Sequence, residues 1–169
     1  GVGKFDLHKD TSDSSKMDWH LDGSRLLPEW GFTEGIDNEG KMDGSNSYRT
    51  CGEPRGPYLK FLANRGLADI YCQEHAQMGE NMGAYTTALP DDAYCDNWLA
   101  KNGLRFLRNF PVGQPWHLVV NFTGPHNPMD VTARMRQAWE GVDFPPPRNN
   151  DQPDREGLLR NRQNYAAMI

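Results

Sequence analysis

The sequence predicts an α/β fold, and three observations carry that prediction. Segments with an apolar stripe at helical spacing precede a short β-branched run, Trp116-His117-Leu118-Val119-Val120-Asn121-Phe122. That run is continuous rather than alternating, as expected of a strand covered on both faces. It leads directly into Gly124-Pro125-His126-Asn127-Pro128, and the order helix, loop, buried strand, loop is that of a sheet layered with helices.

The elements follow along the chain. Gly1-Val2-Gly3 reads as the tail of a strand. The polar stretch from Lys9 to Ser47 carries Trp19, Leu26, Leu27, Trp30 and Phe32. Two tryptophans predict a long ordered loop there, because a solvated linker would not hold them. Pro57 suits a first helical turn; Tyr58, Phe61 and Leu62 then share a face, and Gly66 fits the C-terminal cap. A second helix is predicted from Leu67 to about Gln77. A third begins near Asp91-Asp92, where carboxylates complement the positive helix end. Its stripe of Cys95, Leu99, Gly103, Phe106 and Phe110 is core, and Pro111 and Gly113 end it. A short helix is expected over Thr132–Trp139, then a proline-stiffened loop from Phe144 to Asp154. A last helix carries Leu158, Tyr165 and Ile169 on one face and runs to the chain end without a cap. Both ends therefore read as cut, and residues 1–169 as the central part of one larger domain. No internal repeat is present.

Composition narrows the function. The 169 residues, with five Trp, six Tyr and seven Phe, suffice for one domain with a packed interior. The net charge of −5 is mixed in sign along the chain and shows no basic block, which argues against a nucleic-acid partner. No apolar run approaches the roughly 20 residues of a membrane span. Compartment stays open: bacterial cytoplasm, periplasm and the secretory route all remain. Cys51, Cys72 and Cys95 form no CxxC pair and no metal spacing, so they read as free structural thiols.

Two positions stand out for chemistry. Lys4, preceded by Gly1 and Gly3 at a strand end, offers a point charge to an anion. The alternative is a solvated lysine. His126, held between two prolines past a buried strand, occupies the edge of an α/β sheet where ligands bind. It either bonds an oxyanion and exchanges a proton near neutral pH, or is a turn histidine bonded to its own loop. His20 and His75 read as surface or packing residues, and His117 as packed within the strand. The glycosylation sequon Asn121-Phe122-Thr123 falls on the same strand and reads as inert.

The runs GVGKFDLHK, WGF…EG, GPYLKFLANRGLAD, PDDAYCDNWLAKNGLRFLRN, PWHLVVNFTGPHNPMDV and NYAAMI together resemble the central part of the sulfatase family. That family lies within the alkaline-phosphatase-like superfamily. The resemblance spans essentially the whole chain. It implies an α/β/α sandwich with a mostly parallel sheet, incomplete at both ends. It also implies hydrolysis of sulfate esters to alcohol and sulfate by a formylglycine nucleophile and a divalent cation, usually calcium. Lys4 matches the lysine of the family's Gly-Lys-x-His pattern, implying a role in neutralising sulfate. His126 matches the later Pro-His element, implying a bond to a sulfate oxygen or assistance to the leaving group. The resemblance leaves the choice of alcohol to loops, for which residues 9–47 and 145–153 are candidates.

The departures are specific. The family's histidine two residues after the lysine is Asp6 here. Either His8 supplies the imidazole or Asp6 orients Lys4 or His8. Cys51-Gly-Glu-Pro-Arg55 has the spacing of the formylglycine signature but the wrong middle residue and the wrong place in the order, so it reads as coincidence. Formylglycine and the calcium ligands are accordingly expected outside this chain. The expected partners are a small-molecule or glycan sulfate ester, with the rest of the polypeptide or a second copy covering the sheet. Three alternatives remain: a phosphodiesterase or phosphonate hydrolase of the same superfamily, a non-catalytic module that binds sulfated ligands, and a structural α/β piece that completes a larger fold.

Overall fold

The computed structural model describes residues 1–5, 11–77 and 84–145. Asp6, His8 and the predicted last helix lie outside the described residues. The elements in chain order are β1 (Val2–Gly3), β2 (Ile36–Asp37), α1 (Lys41–Cys51), α2 (Pro57–Asn64), α3 (Ala68–Gln77), β3 (Ala84–Thr86), α4 (Cys95–Asn109), β4 (Val120–Asn121), β5 (Met129–Val131) and α5 (Ala133–Ala138). A single 3₁₀ turn, Asp91–Ala93, precedes α4.

The chain is mixed α/β with two small parallel sheets. One has the order β2-β1-β4, with Val2 opposite Ile36 on one side and Val120 on the other. The second pairs β3 with β5, Tyr85 facing Asp130. Gly3 lies at φ 121°, and a Cβ there would collide with the Asn121 backbone carbonyl. The glycine before Lys4 is thus demanded by the close approach of β4 rather than by a ligand.

The predicted strand 116–122 is realised only at Val120–Asn121. Among the described residues it is not covered on both faces. β4 is an edge strand, Trp116 and Phe122 are about half exposed, and His117 is exposed rather than packed. The ladder is short because β1 spans only two residues; Val2 N donates to Val119 O at 2.9 Å, and Trp116–Leu118 have no strand opposite them among the described residues.

The helices match their signals more closely. Pro57 opens α2, and Gly66 ends its last turn at φ 69° with its N–H on Ala63 O. In the core, Tyr58 packs against Tyr71 (ring centroids 5.6 Å apart) and Trp98 (5.4 Å), and its hydroxyl donates to Ala93 O at 2.8 Å. That satisfies the one polar atom such a buried ring carries. α4 lays Cys95, Trp98, Leu99 and Gly103 inward and packs on β1 and β4, with Gly103 beneath Val120.

The expected loop 9–47 differs from the structure in its second half, where β2 and the start of α1 appear. Its first half is a loop anchored by buried Met17, Trp19 and Leu27. The run Asp37-Asn38-Glu39-Gly40-Lys41 is fully buried despite its polarity. Each side chain works inward. Asn38 Oδ1 accepts from Gly40 N at 2.8 Å. Glu39 caps α2 from outside that helix, accepting from Leu59 N at 2.6 Å and Tyr58 N at 3.2 Å. Lys41 Nζ meets Asp130 Oδ1 at 2.6 Å and donates to Pro128 O at 3.0 Å, with both charged side chains almost wholly buried.

Two predictions follow from these buried charges. Removing one partner of the Lys41–Asp130 pair strands the other, so Lys41→Met and Asp130→Leu should each cost about 3–5 kcal/mol in urea unfolding, while the double variant recovers most of it. Burial pushes the Glu39 carboxyl up to about 7, against the lowering pull of the Leu59 and Tyr58 N–H groups. The folded chain therefore holds this proton more tightly than the unfolded chain. The stability that proton confers is complete below pH 4.5 and is lost as pH rises to about 7, a change of about 3 kcal/mol. Subtracting the pH–stability curve of Glu39→Gln from that of the wild type should leave this slope.

Candidate functional site

Three parallel strands end at one edge, and their following residues converge there. β1 delivers Lys4, β2 delivers Asp37 to Lys41, and β4 delivers Thr123 to Pro128. Lys4 and the His126 loop thus stand on neighbouring strands. Lys4 N donates to Asn121 O at 3.3 Å, and Asn121 Nδ2 donates back to Lys4 O at 3.3 Å. The sequon amide is therefore engaged in the sheet.

The Lys4 side chain runs along Gly40. A Cβ at residue 40 would lie 2.9 Å from Lys4 Cδ and 3.3 Å from Nζ. Gly40 adopts φ 68°, ψ 177°, a conformation essentially restricted to glycine. Gly40 is also the residue that precedes the first turn of α1 and makes no side-chain cap. The ammonium stem thereby passes the positive end of an eleven-residue helix. The two are like in charge, and both favour an anion at this edge.

The His126 loop is clamped at both ends. Asp96, in the first turn of α4, accepts from Thr123 Oγ1 at 2.7 Å, Thr123 N at 2.8 Å and Gly124 N at 3.0 Å. At the far end Lys41 holds Pro128 O. Between these clamps His126 is exposed, and its Nδ1 lies 2.7 Å from Asn127 O. A carbonyl can only accept, so Nδ1 carries the proton and Nε2 is left facing outward. Of the two sequence readings of His126, the hydrogen bond to its own loop is the one seen here. It is a turn histidine at Nδ1 and has an open nitrogen at Nε2. Asp6 and His8 are outside the described residues, so their part in the site is not among these contacts.

Asp96 and Lys41, which shape the site, were not singled out by the sequence. The carboxylates read as marking the helix start were Asp91 and Asp92, and nothing local to Asp96 announces a partner 27 residues away. Lys41 lay in a stretch read as loop. The available signal was Gly52, which ends α1 in the left-handed conformation at φ 74° with its N–H on Tyr48 O.

The thiols take no part. Cys72 and Cys95 are buried and Cys51 half-buried, all unpaired. Burial pushes the Cys72 thiol up to about 11 and the Cys95 thiol further still, so both remain protonated. Cys51 closes α1, and Arg55 pairs with Glu53 at 3.0 Å instead of with the cysteine. Calcium requires several oxygen ligands. Among the described residues no group of three or more His, Cys, Asp or Glu is placed to hold a metal ion. These residues do not fit the ion, and no step is assigned to it on them. Two cavities, of about 470 Å³ between α1 and α3 and about 530 Å³ along α5, are lined by neither Lys4 nor His126. Among the described residues no helix is long and apolar enough to cross a membrane.

Compared with known proteins, the chain matches no family model, no curated protein and no solved structure.

The clamp makes a direct prediction. Asp96→Ala strips a charged acceptor from three donors and should cost about 3 kcal/mol in chemical unfolding. It should also broaden the backbone amide resonances of Thr123 and Gly124 while leaving those of α2 and α3 in place.

Proposed function

We propose that this chain is the anion-binding part of a sulfatase-type hydrolase of the alkaline-phosphatase-like superfamily, built as part of an α/β/α sandwich. The observation that carries the reading is the convergence of Lys4 and the His126 loop at the carboxyl edge of one parallel sheet. In this reading Lys4 neutralises the sulfate of a sulfate ester, and His126 bonds a sulfate oxygen or the leaving oxygen through Nε2. Both act as charge fixed in place before the anion develops. Formylglycine and the calcium ligands are assigned to residues beyond this sequence. His8 remains the proposed substitute for the imidazole displaced by Asp6.

The protonation pattern sharpens the chemistry. With the Nδ1 proton committed to Asn127 O, Nε2 can donate to an anion only when the ring is an imidazolium. The edge of β4, which has no further strand beside it among the described residues, and the exposed Trp116 and Phe122 support a sheet that continues into the rest of a polypeptide or a second copy.

Titration with inorganic sulfate, followed through the His126 ring proton resonances, tests this. Saturable shifts are expected, weakened at least tenfold by Lys4→Ala. Absence of saturable shifts, or indifference to Lys4→Ala, would sink the reading. Turnover of sulfate against phosphate esters by a polypeptide that includes the remaining catalytic residues separates the sulfatase from a phosphodiesterase or phosphonate hydrolase. Binding without turnover there would point to a sulfated-ligand-binding module.

A further inference from the structure

The cleft along α5 is separate from the sheet edge but joined to it by the chain. β5 begins at Met129, directly after the His126 loop, and Thr132 then caps α5 by accepting from Met135 N at 3.3 Å. The cleft encloses about 530 Å³ and is lined by Val131, Met135, Arg136, Trp139 and Glu140. That volume is in the range of small-molecule sites. Spacings of three and four place Arg136, Trp139 and Glu140 on one face of the helix and its C-terminal turn.

The chemistry of that face is mixed in a particular way. Trp139 is 62% exposed although it is the most costly residue type to leave in water, and Phe144, 60% exposed, braces it with ring centroids 5.6 Å apart. A rigid indole face flanked by a guanidinium and a carboxylate suits a ligand that is apolar on its flat face and polar around its rim. Arg136 is held by one Nη1–H bond to Thr86 Oγ1 at 3.1 Å, which orients the fork while leaving further donors for an anion. Glu140 makes no ion pair among the described residues, so its oxygens can accept from hydroxyl groups.

We propose that this cleft binds one pyranose ring of an anionic saccharide. The C–H face of the ring stacks on Trp139, its hydroxyls donate to Glu140, and an anionic substituent pairs with Arg136. The anionic substituent rests on the sulfate-ester reading above; the stacking of the ring does not. The saccharide would reach from this cleft toward the His126 loop along β5, making α5 a specificity element for the alcohol part of the ester.

Glucose 6-sulfate is the probe, with glucose and sodium sulfate as controls, titrated into the Lys4→Ala chain so that the sheet-edge site is weakened. Saturation-transfer NMR should show saturable contact to the sugar ring protons. Trp139→Ala should weaken binding at least tenfold, Trp139→Phe should retain most of it, and Arg136→Ala should reduce the preference for glucose 6-sulfate over glucose. Trp139 is exposed, and an unchanged circular dichroism spectrum checks that its variants fold. No ring contact, or contact unmoved by Trp139→Ala, overturns the proposal. So does a change of sedimentation on Trp139→Ala without loss of sugar binding, which would mark the patch as a protein contact. Ring binding that persists while the sulfate titration of the wild type fails would keep the saccharide cleft and remove the sulfate-ester reading.

Discussion

The ion pair between Lys41 and Asp130 is the contact on which the rest of the arrangement depends. It joins the first residue of α1 to the middle of β5, across 89 positions of sequence. Around it Tyr94 donates to Asp130 O at 2.9 Å and Tyr71 to Lys41 O at 3.2 Å, so helices α1 and α3, the segment before α4 and the second sheet are all tied to one buried charge pair. Such a pair adds little net stability over an apolar pair of the same shape, because both ions leave water. What it adds here is a fixed geometry. No other buried partner of matching charge is available to either residue among the contacts described, so the register between α1 and β5 has one satisfied arrangement.

The same pair reaches the candidate site. The Lys41 ammonium that meets Asp130 also holds Pro128 O, two residues beyond His126. Asp96 holds the other end of the loop through Thr123 and Gly124. One buried cation and one carboxylate thus fix an exposed imidazole whose own hydrogen bond is only to its neighbour. The arrangement separates tasks: the clamping charges are consumed largely by the backbone and by each other, while the Lys4 side chain runs beside Gly40 and the His126 ring stays exposed. Gly3 and Gly40 permit this by giving up side-chain volume where β4 and the Lys4 stem pass.

How much of this was legible in the sequence depended on whether the signal was local. α2, α3, α4 and α5 were readable because proline, glycine caps, a threonine cap and apolar spacing act within a few residues. β1 and the edge position of His126 were legible from glycine and proline next to a β-branched run. α1 was not, because its inward face is Lys41, Gly44, Ser45 and Ser47, which no hydropathy pattern marks as buried. The burial of Asp37 to Lys41 is decided by partners far along the chain: Leu59, Cys95, Pro128 and Asp130. The extent of β4 was overread, since β-branched composition says a segment suits a sheet but not how many residues find a partner. The α5 cleft escaped notice because Trp139 was counted as the end of a helix rather than as a surface.

The parallel pairing of β1 with β2 has a consequence for how this chain can vary. The chain leaves β1 at Lys4 and returns to the adjacent strand at Ile36, and buried Met17, Trp19 and Leu27 pin the excursion between. Its two ends are thus locked side by side by the ladder, whatever length lies between them. Closure entropy grows only logarithmically with length, so doubling such an excursion costs about 0.6 kcal/mol. Residues inserted at its exposed turns leave the strand register, and with it the placement of Lys4, untouched. The excursion is therefore an evolvable module, able to gain or shed length across descendants while the edge it frames stays constant.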